Sequence, residues 1–147
     1  MDKKQFKDFF KKYLIQHNFE KIKNKYYYKH DDFLCRIELN KSNYGEFYYI
    51  EYDFYIGNFT KPYLIDQSGW QTATPFVGAR FGFGVNKDRC IYGDYNEDLL
   101  KQLLDQNMER AILPPFERGK KFLLDNFGKY YTTYLDEDEI KKLLLKE

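Results

Sequence analysis

The chain has 147 residues, a net charge of +1, 43% hydrophobic and 20% aromatic residues, and two cysteines. That length suits a single domain spanning 1–147 with one sizeable core, and the near-zero charge removes the simple electrostatic case for nucleic acid or anionic membrane as an obligatory partner. No run reaches the roughly 18 apolar residues of a membrane span, and Met1-Asp2-Lys3-Lys4-Gln5 opens an amphipathic segment rather than a secretory signal, so the expected compartment is the cytoplasm.

Charge is unevenly spread. Residues 1–30 hold nine Lys against Asp2, Asp8 and Glu20, a balance of +6, which leaves −5 on residues 31–147. Residues 2–17 read as the first helix, with Asp2 as N-cap. Phe6, Phe9, Phe10, Tyr13, Leu14 and His17 recur at helical spacing on one face, with Lys4, Lys7 and Lys11 opposite and Asn18 closing the helix.

Residues 20–29 alternate. Ile22, Tyr26 and Tyr28 are expected on one face, and Lys21, Lys23, Lys25, Tyr27 and Lys29 on the other. Charge interleaved with an aromatic is an arrangement used by single-strand nucleic-acid binders, so this lysine face is an alternative binding site. Glu38, Glu51 and Asp53, expected on the same face, favour a self-neutralised surface.

Phe33, Cys35, Ile37 and Leu39 alternate with Leu34, Arg36, Glu38 and Asn40. Beyond the turn-forming run 40–45, Tyr48, Ile50, Tyr52, Phe54 and Ile56 alternate with Phe47, Tyr49, Glu51, Asp53 and Tyr55. Period-two patterning around an Asn/Gly turn predicts an antiparallel hairpin with one wet face, and the strands over 20–56 form a meander. Aromatic residues pack well in such sheets, so the aromatic content reads first as core.

From Gly57 to Asp94 the pattern loosens, with short strands expected at 78–84 and 89–92. Thr60–Thr74 is long for a loop, and such loops are often functional. The last third reads as helical: 96–112, a break at Pro114-Pro115, then 115–127 ending at Gly128, and a capped final helix 137–146. The fold class is therefore α+β: an antiparallel sheet of about five strands, an N-terminal helix packed on it and a helical C-terminal third.

Catalytic equipment is thin. Two His, two Ser and two Cys show no nucleophile–base spacing, Gly82-Phe83-Gly84 lacks the rest of a dinucleotide fingerprint, and neither cysteine has a zinc partner at ligand spacing. No catalytic, cofactor or metal residues are assigned, and the reading leans to a non-enzymatic protein. Trp70, in a polar run without periodic partners, Arg80, interrupting an apolar strand, and Tyr92 form the candidate partner or ligand patch, because Trp, Tyr and Arg dominate measured hot spots. The opposing reading folds Trp70 onto the core and pairs Arg80 with Asp88 or Asp94.

Ala79-Arg80-Phe81-Gly82, followed by Asp88 and Cys90-Ile91-Tyr92, together with the opening helix, Phe19-Glu20-Lys21 to Tyr28 and the Tyr48–Ile56 strand, resembles the bacterial domain of unknown function family 4304. Asn18-Phe19 stands where that family usually has Gly-Phe, and Tyr92 where tryptophan is usual. The resemblance implies a fold and no chemistry. The function it leaves uppermost is an uncharacterised bacterial protein-interaction module, the partner-neutralising immunity type included. The alternatives are nucleic-acid binding through the lysine face, and a small-molecule or enzymatic cleft near Trp70 and Arg80.

Overall fold

The computed structural model describes residues 1–57 and 76–132, and residues 138, 141 and 142. Helix α1 (Lys3–Gln16) starts at a reciprocal cap: the Asp2 carboxylate accepts from the Gln5 N–H at 2.8 Å, and the Gln5 side chain accepts from the Asp2 N–H at 2.9 Å. It ends where Asn18 turns left-handed, φ 71°. The Phe19 N–H then donates to the Leu14 carbonyl and that of Asn18 to Ile15, closing the last turn. Phe6, Phe10, Tyr13 and Leu14 form its buried stripe, as the spacing predicts.

The sheet is antiparallel throughout, in the order β1 (Glu20–Ile22), β2 (Lys25–Lys29), β3 (Phe33–Lys41), β4 (Tyr48–Ile56) and β5 (Phe76–Arg80). The expected single strand 20–29 is thus two strands. Ile22 pairs with Lys25 across a turn in which Lys23 takes φ 58°, so the alternation changes phase there. Ile22 accordingly packs with Tyr27, Leu34 and Tyr55 on the outer face, whereas sequence alternation grouped it with Tyr26 and Tyr28. That cluster also dries one end of the face expected to be wet; the rest carries Arg36 paired to Asp53 at 3.0 Å.

On the inner face Tyr26, Phe33, Cys35, Ile37, Ile50, Tyr52 and Phe54 meet the stripe of α1 in one buried core. Phe6 lies 5.2 Å from Tyr48, and Phe10 meets Tyr26 edge-on at 5.6 Å. The expected strand 78–84 runs instead from Phe76 to Arg80. The expected strand 89–92 is replaced by a lone bridge between Cys90 and Tyr48 and a tight 3-10 turn at Tyr92–Asp94.

The helical third differs from expectation in where it breaks. Helix α2 (Glu97–Asn107) is capped by Asn96 and passes through a π-turn (Met108–Ile112) straight into α3 (Leu113–Arg118), which holds Pro114 and Pro115 in its first turn. The break falls at Gly119, φ 87°, so the expected helix 115–127 is divided, and α4 (Lys121–Asp125) follows. Pro115 has no N–H to offer the Ala111 carbonyl four residues back; the buried Tyr131 hydroxyl donates to it at 2.6 Å. The expected loop 60–74 and, apart from helical backbone at Asp138, Lys141 and Lys142, the final helix lie outside the described residues.

Candidate functional site

The first half of β4 is held from both sides by residues 80–92. Register pairs Arg80 with Glu51, so both side chains lie on the outer sheet face. The Arg80 guanidinium donates to Glu51 at 3.3 Å and to Asp88 at 2.9 Å, and its carbon stands 4.0 Å from the centroid of the Tyr49 ring. Tyr49 meets Phe47 edge-on at 5.4 Å, and the Arg89 guanidinium lies 5.6 Å over Phe47. The result is a row in which two stacked arginines, Arg89 and Arg80, bracket the aromatic pair Phe47 and Tyr49. The Arg80 side chain keeps 44% of its surface exposed even though three groups fix its position. Tyr44 in the β3–β4 loop and Val85 in the 3-10 turn Gly84–Asn86 are almost fully exposed, at 95% and 98%, on the segments that precede Phe47 and connect Arg80 to Arg89 in the chain.

Tyr92 works from the other side. It is buried, stacks on Phe6 at 5.5 Å and donates its hydroxyl to Glu46. That hydrogen bond pushes the Tyr92 phenol up to about 12 and, with Lys41 nearby, holds the Glu46 carboxyl below its ordinary range. Lys41 donates to the Gly45 carbonyl at 2.7 Å, and the Ser42 hydroxyl accepts from the Tyr44 N–H at 2.9 Å. Tyr92 therefore helps fix the loop that presents Tyr44. Arg80 and Tyr92 share β4 but not a surface, and Trp70 lies outside the described residues. Arg80 does pair with Asp88, as the alternative reading of that residue expects.

The lysine face is divided by the turn at Lys23. Lys25, Tyr27 and Lys29 share the outer side of β2, where Tyr27 is buried against Leu34 and Tyr55. Lys21 pairs opposite Tyr26 and so belongs to the other side, and Lys23 sits in the turn itself.

The two cysteines and two histidines, all among the described residues, are buried or engaged in stacks. Cys35 and Cys90 are buried, and burial pushes the Cys35 thiol well up and that of Cys90 up to about 12. His17 stacks on Tyr13 at 4.2 Å and bonds through Nδ1 to the Tyr13 carbonyl at 2.8 Å. His30 stacks on Phe33 at 4.3 Å, and its Nδ1 accepts from the Asp32 N–H at 3.0 Å. Among the described residues no cluster of His, Cys, Asp and Glu suits a metal ion, and no helix is long and apolar enough to cross a membrane.

The sequence pattern does not single out Phe47, Tyr49 and Arg89 as site residues. The signal was present, since Phe47 and Tyr49 fall on the outward positions of β4; what sequence lacked was the register that carries Arg80 over Tyr49. Nor does the pattern single out Asn107, whose buried amide accepts from the Gly82 N–H at 2.8 Å and donates to the Gly82 carbonyl at 2.9 Å. One side chain thereby anchors the segment between Arg80 and Arg89 to α2.

The family model described as Domain of unknown function (DUF4304) matches residues 10–118, a span that includes the whole arginine–aromatic row and Tyr92. No curated protein and no solved structure matches the chain.

Proposed function

The chain belongs to the DUF4304 family, and on that footing we propose that it is a non-enzymatic protein-interaction module of the bacterial cytoplasm, binding its partner through the face centred on Arg80 and Tyr49. The single observation that carries this reading is the fixed, half-exposed Arg80, stacked on Tyr49 and braced by Glu51 and Asp88. An arginine already ordered before contact loses little side-chain freedom on binding, and planar guanidinium stacked on an aromatic ring is a frequent hot-spot arrangement. Tyr44 and Val85 are exposed apolar residues on the loops that lead into Phe47 and that join Arg80 to Arg89 in the chain. A toxin-neutralising role fits such a face, because blocking a partner requires contact area and no chemistry.

Buried thiols with raised pKa and histidines engaged in stacks support the non-enzymatic part. The experiment is affinity co-purification from the native host with wild-type and Arg80→Glu protein. A stoichiometric protein retained by the wild type and lost from the variant supports the proposal. Turnover of a metabolite by purified protein that brings no partner with it overturns it.

A further inference from the structure

A second surface lies on the other side of the molecule's chemistry, at the lysine-rich beginning of the chain. Lys4, Lys7 and Lys11 follow one another at steps of three and four residues along the exposed side of α1, and Ile15 continues the stripe, 49% exposed. Where α1 ends, the β1–β2 hairpin brings Lys21 and Lys23 alongside. Together with Lys11, Ile15, Phe19 and Glu20 they line a shallow depression of about 500 Å³. Among the described residues Lys4, Lys7, Lys11, Lys21 and Lys23 make no ion pair, and Glu20 is the one carboxylate of the lining. Lysines on a short edge strand deter edge-to-edge pairing, which accounts for Lys21. It does not account for the exposed Ile15, whose helix face carries Lys4, Lys7 and Lys11 with one carboxylate, Asp8, among them.

We infer that this shelf docks an acidic segment of a partner protein, with an apolar side chain of that segment seated on Ile15. Lys11 on one side of the depression and Lys21 and Lys23 on the other outnumber Glu20, a balance that favours carboxylates arriving along it. A nucleic acid fits less well. The ring in the lining, Phe19, is only 3% exposed and offers no face for base stacking, and Glu20 opposes a phosphate row. A bilayer fits least, because the apolar stripe of α1 is already spent on the core and none is left to enter the headgroup region.

The test uses the intact chain and a fluorescein-labelled peptide of alternating Glu and Asp with one central Leu, followed by anisotropy at low salt. The peptide is expected to bind. Binding should weaken about tenfold in the double variant Lys11→Glu, Lys21→Glu, and about fivefold when either Ile15 or the peptide's Leu is replaced by Ser. The substituted side chains of the protein are exposed, and the peptide substitution leaves the protein untouched, so misfolding does not decide the result. The inference is overturned if the peptide does not bind, if its binding is indifferent to both Ile15 and the lysines, or if a labelled oligothymidine or phosphatidylglycerol vesicles bind more tightly with no loss in Ile15→Ser. None of these outcomes bears on the Arg80 face, which the peptide does not probe.

Discussion

Arg80 holds its guanidinium carbon 4.0 Å from the Tyr49 ring centroid while its nitrogens reach Glu51 and Asp88. Three moderate interactions converge on one side chain that stays 44% exposed. Exposed ion pairs contribute about 0–1 kcal/mol each, and an exposed cation–π contact about 0.5–1 kcal/mol. Orientation, more than stability, is what this arrangement supplies.

Arg80→Ala should therefore cost about 1 kcal/mol of stability, a fall in Tm of about 2–4 °C. Partner binding should fall by about tenfold or more, as hot-spot truncations do. Thermal melts and a binding titration on the same preparation separate the two effects. A large loss of stability with binding intact would make Arg80 a structural residue.

Cys35 and Cys90 should resist alkylation. Both thiols are buried and raised by desolvation, so the thiolate that reacts is scarce near neutrality. Iodoacetamide at mildly alkaline pH should leave native protein unlabelled over minutes and label both sites at once in denaturant, as read by intact-mass measurement.

Tyr131→Phe should destabilise by about 1–3 kcal/mol, because it leaves the Ala111 carbonyl beside Pro115 without its buried donor. The ring remains, so little packing is lost and the deficit in urea unfolding reports the hydrogen bond.

Asp105 predicts an acid-side pH dependence. Burial would raise its carboxyl, but hydrogen bonds from Lys101 at 2.7 Å and from the Tyr13 hydroxyl at 2.6 Å outweigh burial and hold it below 3.8. A carboxyl lowered on folding gives stability that is present above its ordinary value and is lost as pH falls through the folded one. Asp105→Asn should flatten the decline of Tm below about pH 4 and lower Tm near neutrality.

Much of the fold is legible in the residues. Asp2, the α1 stripe and the inner-face alternation over 33–56 are each legible, because local periodicity and capping express a single dominant cause, whereas Leu34 and Tyr55 bury part of the face that alternation marks as wet. The failures have specific origins. Alternation over 20–29 is continuous in sequence, and only the positive φ taken up at Lys23, uncommon for a non-glycine residue, reveals a reversal of phase. Pro114-Pro115 looks like a helix stop, yet the orphaned Ala111 carbonyl is rescued by Tyr131, 20 residues away, a partner that no local pattern announces. The site was half legible: Arg80 stood out as a charge in an apolar strand, but Tyr49 and Phe47 become its neighbours only through the β4–β5 register. The residue type of Tyr92 suggests a contact residue, but its burial against Phe6 makes it a support for the loop of Tyr44.

Photo-crosslinking in the native host tests the central claim most directly. A benzophenone amino acid placed at Tyr44, at Val85 and, as a control, at the exposed Leu99 on α2 records what touches each position. One protein adduct of the same identity is expected from positions 44 and 85, none from 99, and it should be lost when Arg80→Glu is added. Adducts equally strong from position 99, or adducts from 44 and 85 that ignore the Arg80 substitution, would contradict that claim.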